Sequence, residues 1–174
     1  MKRIALALLA ATTLPAPLLA QDGDTFAAAP EAKKPEQADP SQDAKWHNRQ
    51  MLALAQLRWQ DGWRVLPGNL RWRPISGDGS GQHPLVSDVI ALHYEGKLVN
   101  GDVFDSSYGG RPAIFPLGQL IPAWQIAVPQ MGVGDTIEIA APSDLAYGPE
   151  GTGPIPGGAT LFFKIELIAI KPRD

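Results

Sequence analysis

The chain has 174 residues, 44% of them hydrophobic and 19% charged, with a formal net charge of -3; this suits one globular domain and excludes membrane bundles and strongly basic nucleic-acid binders. It has no cysteine, so it has no disulfide framework, thiolate nucleophile or cysteine metal site. Its 18 glycines and 17 prolines, about a fifth of the chain against an average usage of about 12%, forecast many turns and few long helices.

Lys2 and Arg3 precede an uncharged apolar stretch over 4–20 that is interrupted by Pro15 and Pro17 and followed by Asp22 and Asp24. That order is the pattern of a secretory signal peptide, residues 1–20, with cleavage expected after Ala20. The two prolines and the short span disfavour a retained membrane anchor, and Gln21 stands where acylation would need a cysteine. The expected product is a periplasmic or secreted protein of charge -5 that meets the membrane only through its transient leader and has no patch for nucleic acid.

Residues 21–45 are rich in Ala, Pro, Glu, Asp and Lys, with Phe26 their one aromatic, and are expected to form a disordered linker. A helix can start from Ser41 as N-cap, run through good helix formers at 51–59 and end at Gly62, giving a helical extension over about 46–65. Its apolar face would comprise Trp46, Met51, Leu54, Ala55, Leu57 and Trp59. That face is too broad and short for a heptad seam, so the helix is expected to pack on its own domain and the protein to be a monomer.

Beyond residue 66 the pattern is mainly strands joined by turns. Leu70, Trp72 and Pro74 alternate with Arg71 and Arg73, 89–99 is a long strand pattern, and 136–140 and 160–170 alternate or run apolar with β-branched residues. Gly77, Gly79 and Gly81 break the first pair, and Asn100-Gly101-Asp102 is a hairpin signal. One internal helix is credible: Pro122 suits its first turn, 123–128 supplies its body, and Pro129 ends it. An antiparallel sheet facing one short helix is an α+β domain.

Catalytic motifs are sparse. His93, Asp105, Ser106 and Ser107 supply the residue types of a nucleophilic triad, but no glycine elbow surrounds either serine, and Asp-Ser-Ser is simpler as turn chemistry. His47, His83 and His93 lack ligand spacing, and the glycines at 77–81 precede no Lys-Ser/Thr pair, so no metal or other cofactor is expected. What remains is a set of aromatic and branched residues beside turns: Tyr94, Phe104, Phe115, Leu120, Ile121, Trp124, Tyr147, Ile155 and Phe163. Each alone reads as core.

Taken together they carry a resemblance. Segments 89–96 (VIALHYEG), 101–107 (GDVFDSS), 115–118 (FPLG), 120–124 (LIPAW), 131–135 (MGVGD), 145–148 (LAYG) and 155–163 (IPGGATLFF) occur in the order and spacing of the FKBP-type peptidyl-prolyl cis-trans isomerases. Segment 66–72 (LPGNLRW) resembles the first strand of the secreted bacterial, Mip-like branch. The resemblance implies a curved antiparallel sheet wrapped on a short helix, an isomerase domain over 66–174, and catalysis of X-Pro isomerisation in exported polypeptides without covalent chemistry. It implies Trp124 as pocket floor and Tyr94, Phe104, Phe115, Leu120, Ile121, Ile155 and Phe163 as walls. Asp105 and Tyr147 become a polar pair at the rim, and the Ile121 amide a holder of a substrate carbonyl. It also implies macrolides such as tacrolimus and rapamycin as ligands, although Ala113 replaces a frequent aromatic and the 149–158 flap is short, with Thr152 and no histidine. A non-catalytic chaperone or proline-segment binder using the same pocket is the alternative; retention of the polar pair favours catalysis.

Overall fold

The fold comes from a computed structural model that describes residues 43–171; the expected signal peptide and nearly all of the expected linker lie outside them. The first element is helix α1, Ala44–Ala55. Its start is set by Asp43, whose carboxylate accepts the Lys45 N–H at 2.8 Å, one of the donors a helix N-terminus leaves unpaired. Ser41 is therefore not the cap, and residues 44 and 45 are helix rather than linker. Nor does the helix reach Gly62. It stops at Ala55, and Gly62, at φ 84°, closes a separate 3-10 turn over Trp59–Asp61. The buried stripe is Trp46, Gln50, Leu54 and, just past the end, Leu57, a spacing of one helical face. Met51 and Trp59, expected on it, are 70% and 79% exposed, and Ala55 is exposed too. They lie off the stripe that the 3.6-residue period carries inward.

Seven antiparallel strands follow: β1 Arg64–Leu66, β2 Leu70–Ser76, β3 Val89–Leu98, β4 Val103–Ser106, β5 Ala113–Pro116, β6 Thr136–Ala141 and β7 Leu161–Ile170. The sheet order is β1-β2-β6-β7-β3-β4, with β5 also pairing β3. The tight turn at Asn100-Gly101-Asp102 joins β3 to β4: Gly101 adopts φ 90°, and the Asn100 side chain accepts the Asp102 N–H. Inside the fold sits the second helix, α2, Pro122–Ala127, with its proline in the first turn. Pro129 falls in a further 3-10 turn, Val128–Gln130, so the α-helical geometry ends two residues before it.

Alternation along the long strands sorts the residues into two faces. In register, Tyr94 lies beside Ile165 and Ile165 beside Ile137, while Gly96 lies beside Phe163 and Phe163 beside Ile139. These rows face α2 and form the main core with Leu70, Leu92 and Leu167. The other face carries Arg73, Glu138, Lys164 and Glu95 in one row across four strands. At the end of that face a small second core, Leu54, Trp63 and Ala140 with Leu57 and Phe162, seats α1. The sheet thus presents one face to α2 and lends part of the other to α1.

Candidate active site

The site forms where the α2 face of the sheet meets the short helix. Trp124 stands on α2 with no exposed surface, and two rings meet it edge-on: Tyr94 from β3 at 5.4 Å and 77°, and Phe163 from β7 at 5.4 Å and 88°. Phe104 from β4 sets its ring edge-on to Phe163 at 5.8 Å, and Phe115 from β5 tilts against Tyr94 at 6.1 Å. Edge-to-face packing suits the ring quadrupoles. It needs one absent side chain, since a Cβ on Gly96 would lie 2.5 Å from the Phe104 ring and 3.0 Å from that of Phe163. Glycine in mid-strand here makes room for two rings.

All ten residues singled out from the sequence come together. Leu120, Ile121, Ile155 and Tyr147 belong to the same apolar cluster as the rings, and Asp105 is joined to it by the Tyr94 hydroxyl, which donates to Oδ2 at 2.5 Å. Leu120 and Ile155 are buried, whereas Phe104, Asp105, Phe115, Ile121 and Tyr147 keep partial exposure and surround the buried floor.

Two polar features set the electrostatics. Burial, with Asp105 nearby as an added negative charge, pushes the Tyr147 hydroxyl up to about 12. Burial, the hydrogen bond to Asp105 and its charge push Tyr94 up further. Both hydroxyls are therefore neutral donors near neutral pH. The second feature is a pair of open donors: the Trp124 indole N–H is buried without a partner among the described residues, and the Ile121 N–H, at the start of α2, has no backbone partner there.

Several supporting residues were not visible in the sequence as such. Gln125 donates from its side-chain amide to the Leu120 carbonyl at 2.7 Å and to that of Gly118 at 3.2 Å, fixing the turn that leads into Ile121. Ser106 donates to the Tyr94 carbonyl at 3.2 Å, and the Ser107 hydroxyl oxygen accepts the Tyr94 N–H at 2.9 Å. These hold the end of β4, and so Asp105, against Tyr94. His93 does reach Ser107, Nδ1 to Oγ at 3.1 Å. That pair is no triad: Asp105 is committed to Tyr94, and His93 stacks on Tyr108 at 5.3 Å. Polar residues of this kind are recoverable only from their partners, 5 to 14 positions away.

Residues 81–168 match the FKBP-type peptidyl-prolyl cis-trans isomerase family. The chain is 45% identical over 109 residues to the outer membrane protein MIP of Legionella longbeachae, covering 62% of this chain and 46% of that one. It is 42% identical over 113 residues to the FKBP-type 22 kDa peptidyl-prolyl cis-trans isomerase of Escherichia coli, covering 64% and 54%. The chain spans about half the length of these relatives. Among solved structures it is similar to a peptidyl-prolyl cis-trans isomerase of Pseudomonas syringae, with a TM-score of 0.66, 30% identity, and coverage of 72% of this chain and 92% of that one. An edge-on aromatic nest on a short helix, within a segment that matches over half the sequence, thus has a plain assignment: the chain belongs to the FKBP-type peptidyl-prolyl cis-trans isomerase family.

Proposed function

We propose that this protein catalyses cis-trans isomerisation of X-Pro bonds in exported polypeptides, using the Trp124 pocket. The observation that carries the reading is the nest itself: an indole floor with Tyr94 and Phe163 edge-on to it, beside a Tyr94–Asp105 pair at a partly open rim. The X-Pro bond crosses a barrier of about 18–20 kcal/mol because amide resonance must be broken, and spontaneous exchange takes tens to hundreds of seconds. Rotation removes the resonance and with it much of the charge separation. A site that replaces water by rings therefore favours the twisted amide over the planar one.

In this reading the prolyl ring rests on Trp124 between Tyr94, Phe104, Phe115, Leu120, Ile155 and Phe163. The Ile121 N–H and the Tyr147 hydroxyl hold flanking carbonyls while the bond turns. Asp105 orients Tyr94 and keeps the rim polar. The unpaired Trp124 N–H supports a ligand site over plain core, since a buried donor without a partner costs about 1–3 kcal/mol and persists more readily where function requires it. No covalent step is involved.

The leader pattern at 1–20 supports export to the periplasm or beyond, and α1 with the 3-10 turn at Trp59–Asp61 leads into a catalytic domain at 66–174 whose sheet also takes in the short strand β1, Arg64–Leu66. We further infer a monomer, because α1 spends its buried face on its own sheet. Tacrolimus and rapamycin are the small-molecule ligands to try, with weaker binding expected where Ala113 leaves the wall thin. The deciding experiment is a protease-coupled assay of the secreted chain on an Xaa-Pro peptide. Exchange should run at least about tenfold faster than the spontaneous reaction of tens to hundreds of seconds; a folded protein at the spontaneous rate would defeat the proposal.

A further inference from the structure

The flap at 148–158 is closed on itself. Its ends meet where the Gly158 N–H donates to the Gly148 carbonyl at 2.8 Å, and Thr152 and Ile155 exchange two backbone bonds inside it, at 2.9 and 2.8 Å. It is wound so tightly that a Cβ on Gly157 would lie 1.9 Å from the Pro149 oxygen. Ile155 and Tyr147 reach the pocket from this loop and its base. These bonds are internal to the loop; at its start the Gly148 N–H also donates to the Ser143 carbonyl at 2.9 Å, in the preceding turn.

At its other end the tie comes from α1. The Gln50 side-chain oxygen accepts the Thr160 N–H at 3.0 Å, and the Thr160 hydroxyl donates to the Gln50 carbonyl at 3.2 Å. Both residues are buried, at 7% and 3% exposure, and they stand 110 positions apart. One turn earlier on α1, His47 and Trp46 cover the flap's neck: a Cβ on Gly158 would lie 3.0 Å from the His47 ring and 3.5 Å from that of Trp46. Gln50 is the polar member of a stripe that is otherwise Trp46, Leu54 and Leu57. Burying the amide oxygen there is favourable only because its bond is made.

We propose that Gln50 is a positioning residue for the prolyl pocket. Through Thr160, α1 holds the neck of the flap and so fixes Ile155 and Tyr147 relative to Trp124, which sets the affinity for the Xaa-Pro segment more than the rate of rotation. The helix that does this lies outside the family-matched segment 81–168. The inference rests on the isomerase reading above.

Three variants of the full chain test it. Gln50→Met keeps volume and helix propensity but removes the acceptor; Thr160→Val keeps shape but removes the hydroxyl; Thr160→Ser keeps the hydroxyl. The first two should raise KM for an Xaa-Pro peptide about three- to tenfold with kcat within about twofold, and should speed amide exchange at Ile155 and Gly158. Thr160→Ser should stay near wild type in both. Wild-type KM and exchange in a folded Gln50→Met protein would overturn the proposal, as would equal effects of Thr160→Val and Thr160→Ser. If Gln50→Met does not fold, Thr160→Val decides alone, and unfolding of both makes the pair a folding contact and rejects the positioning role. A wild-type chain without isomerase activity refutes the function above, while exchange at Ile155 and Gly158 still judges the tie itself.

Discussion

Phe162 and Phe163 are neighbours on β7 and point to opposite faces of one sheet. Phe163 lies 1% exposed against Trp124 and Phe104; Phe162 lies half-buried beside Leu54, Trp63 and Ala140. The first face is rings and branched aliphatics with a single polar pair. The second carries a row of alternating charge, Arg73, Glu138, Lys164 and Glu95, in which Arg73 grips Glu138 with two nitrogens at 2.6 and 2.8 Å and lies 4.8 Å over the Trp63 ring. Opposite charges on adjacent strands support pairing and register. The contrast separates two roles by the two-residue period of a strand: the face poor in charge carries the proposed prolyl pocket, and the charged face holds the strands in place and seats α1.

The widest gap between the faces should appear on removing one indole from each. Trp124→Ala should cost about 3–5 kcal/mol of stability and lower kcat/KM of the folded protein about 100-fold, the scale of a misplaced substrate. Trp63→Ala, 7% exposed in the second core, should cost about 3 kcal/mol and leave kcat/KM of the folded fraction within about twofold. Urea unfolding beside the protease-coupled assay reads both quantities. Should Trp63→Ala slow catalysis as much as Trp124→Ala, the two faces are not independent.

This division was partly legible in the sequence. Period-two alternation marks β3, β6 and β7, and Pro122 marks α2, because these signals are local. The resemblance then joined Tyr94, Phe104, Trp124 and Phe163 into one pocket, which alternation alone would have left as core. What stayed hidden is long-range. Gln50 reads as an ordinary helix residue until Thr160 is beside it, and Gln125 until Leu120 turns its carbonyl inward. The end of α1 was misplaced for a related reason: Gly62 is a true left-handed cap, but of a 3-10 turn, and composition does not tell which element a cap closes. The short strands β1, β4 and β5, of 3 or 4 residues each, are too brief to show a period.

A finer test replaces one carboxylate on each face with its amide. Asp105→Asn leaves Tyr94 bonded to a neutral oxygen and should lower kcat/KM about tenfold, the effect of roughly one charge-assisted hydrogen bond. Glu138→Gln weakens a pair whose side chains are about a third exposed, so it should cost about 1 kcal/mol or less of stability and leave kinetics unchanged. Equal kinetic effects would mean that the charged row reaches the pocket.

The smallest effect is in pH, and the pocket face supplies its largest part, while Tyr108, raised by burial and by Glu166 and Glu95, adds to it from the charged face. Tyr147 is held up to about 12 and Tyr94 higher, against an ordinary value of 10.0, by burial and by Asp105. A group whose folded value is raised binds its proton more tightly in the native state, so its contribution is complete below about pH 10 and is lost as pH rises toward and through the folded value. Two outcomes follow for the wild-type chain: kcat/KM that does not respond to tyrosine ionisation between pH 6 and about 9, and an unfolding free energy that declines above about pH 10. Tyr147→Phe removes one of the three raised tyrosines, so its decline above pH 10 should be shallower than that of wild type. Identical slopes would show that the Tyr147 hydroxyl is as free to ionise in the folded protein as in the unfolded chain, and would remove it as a neutral donor fixed at the rim.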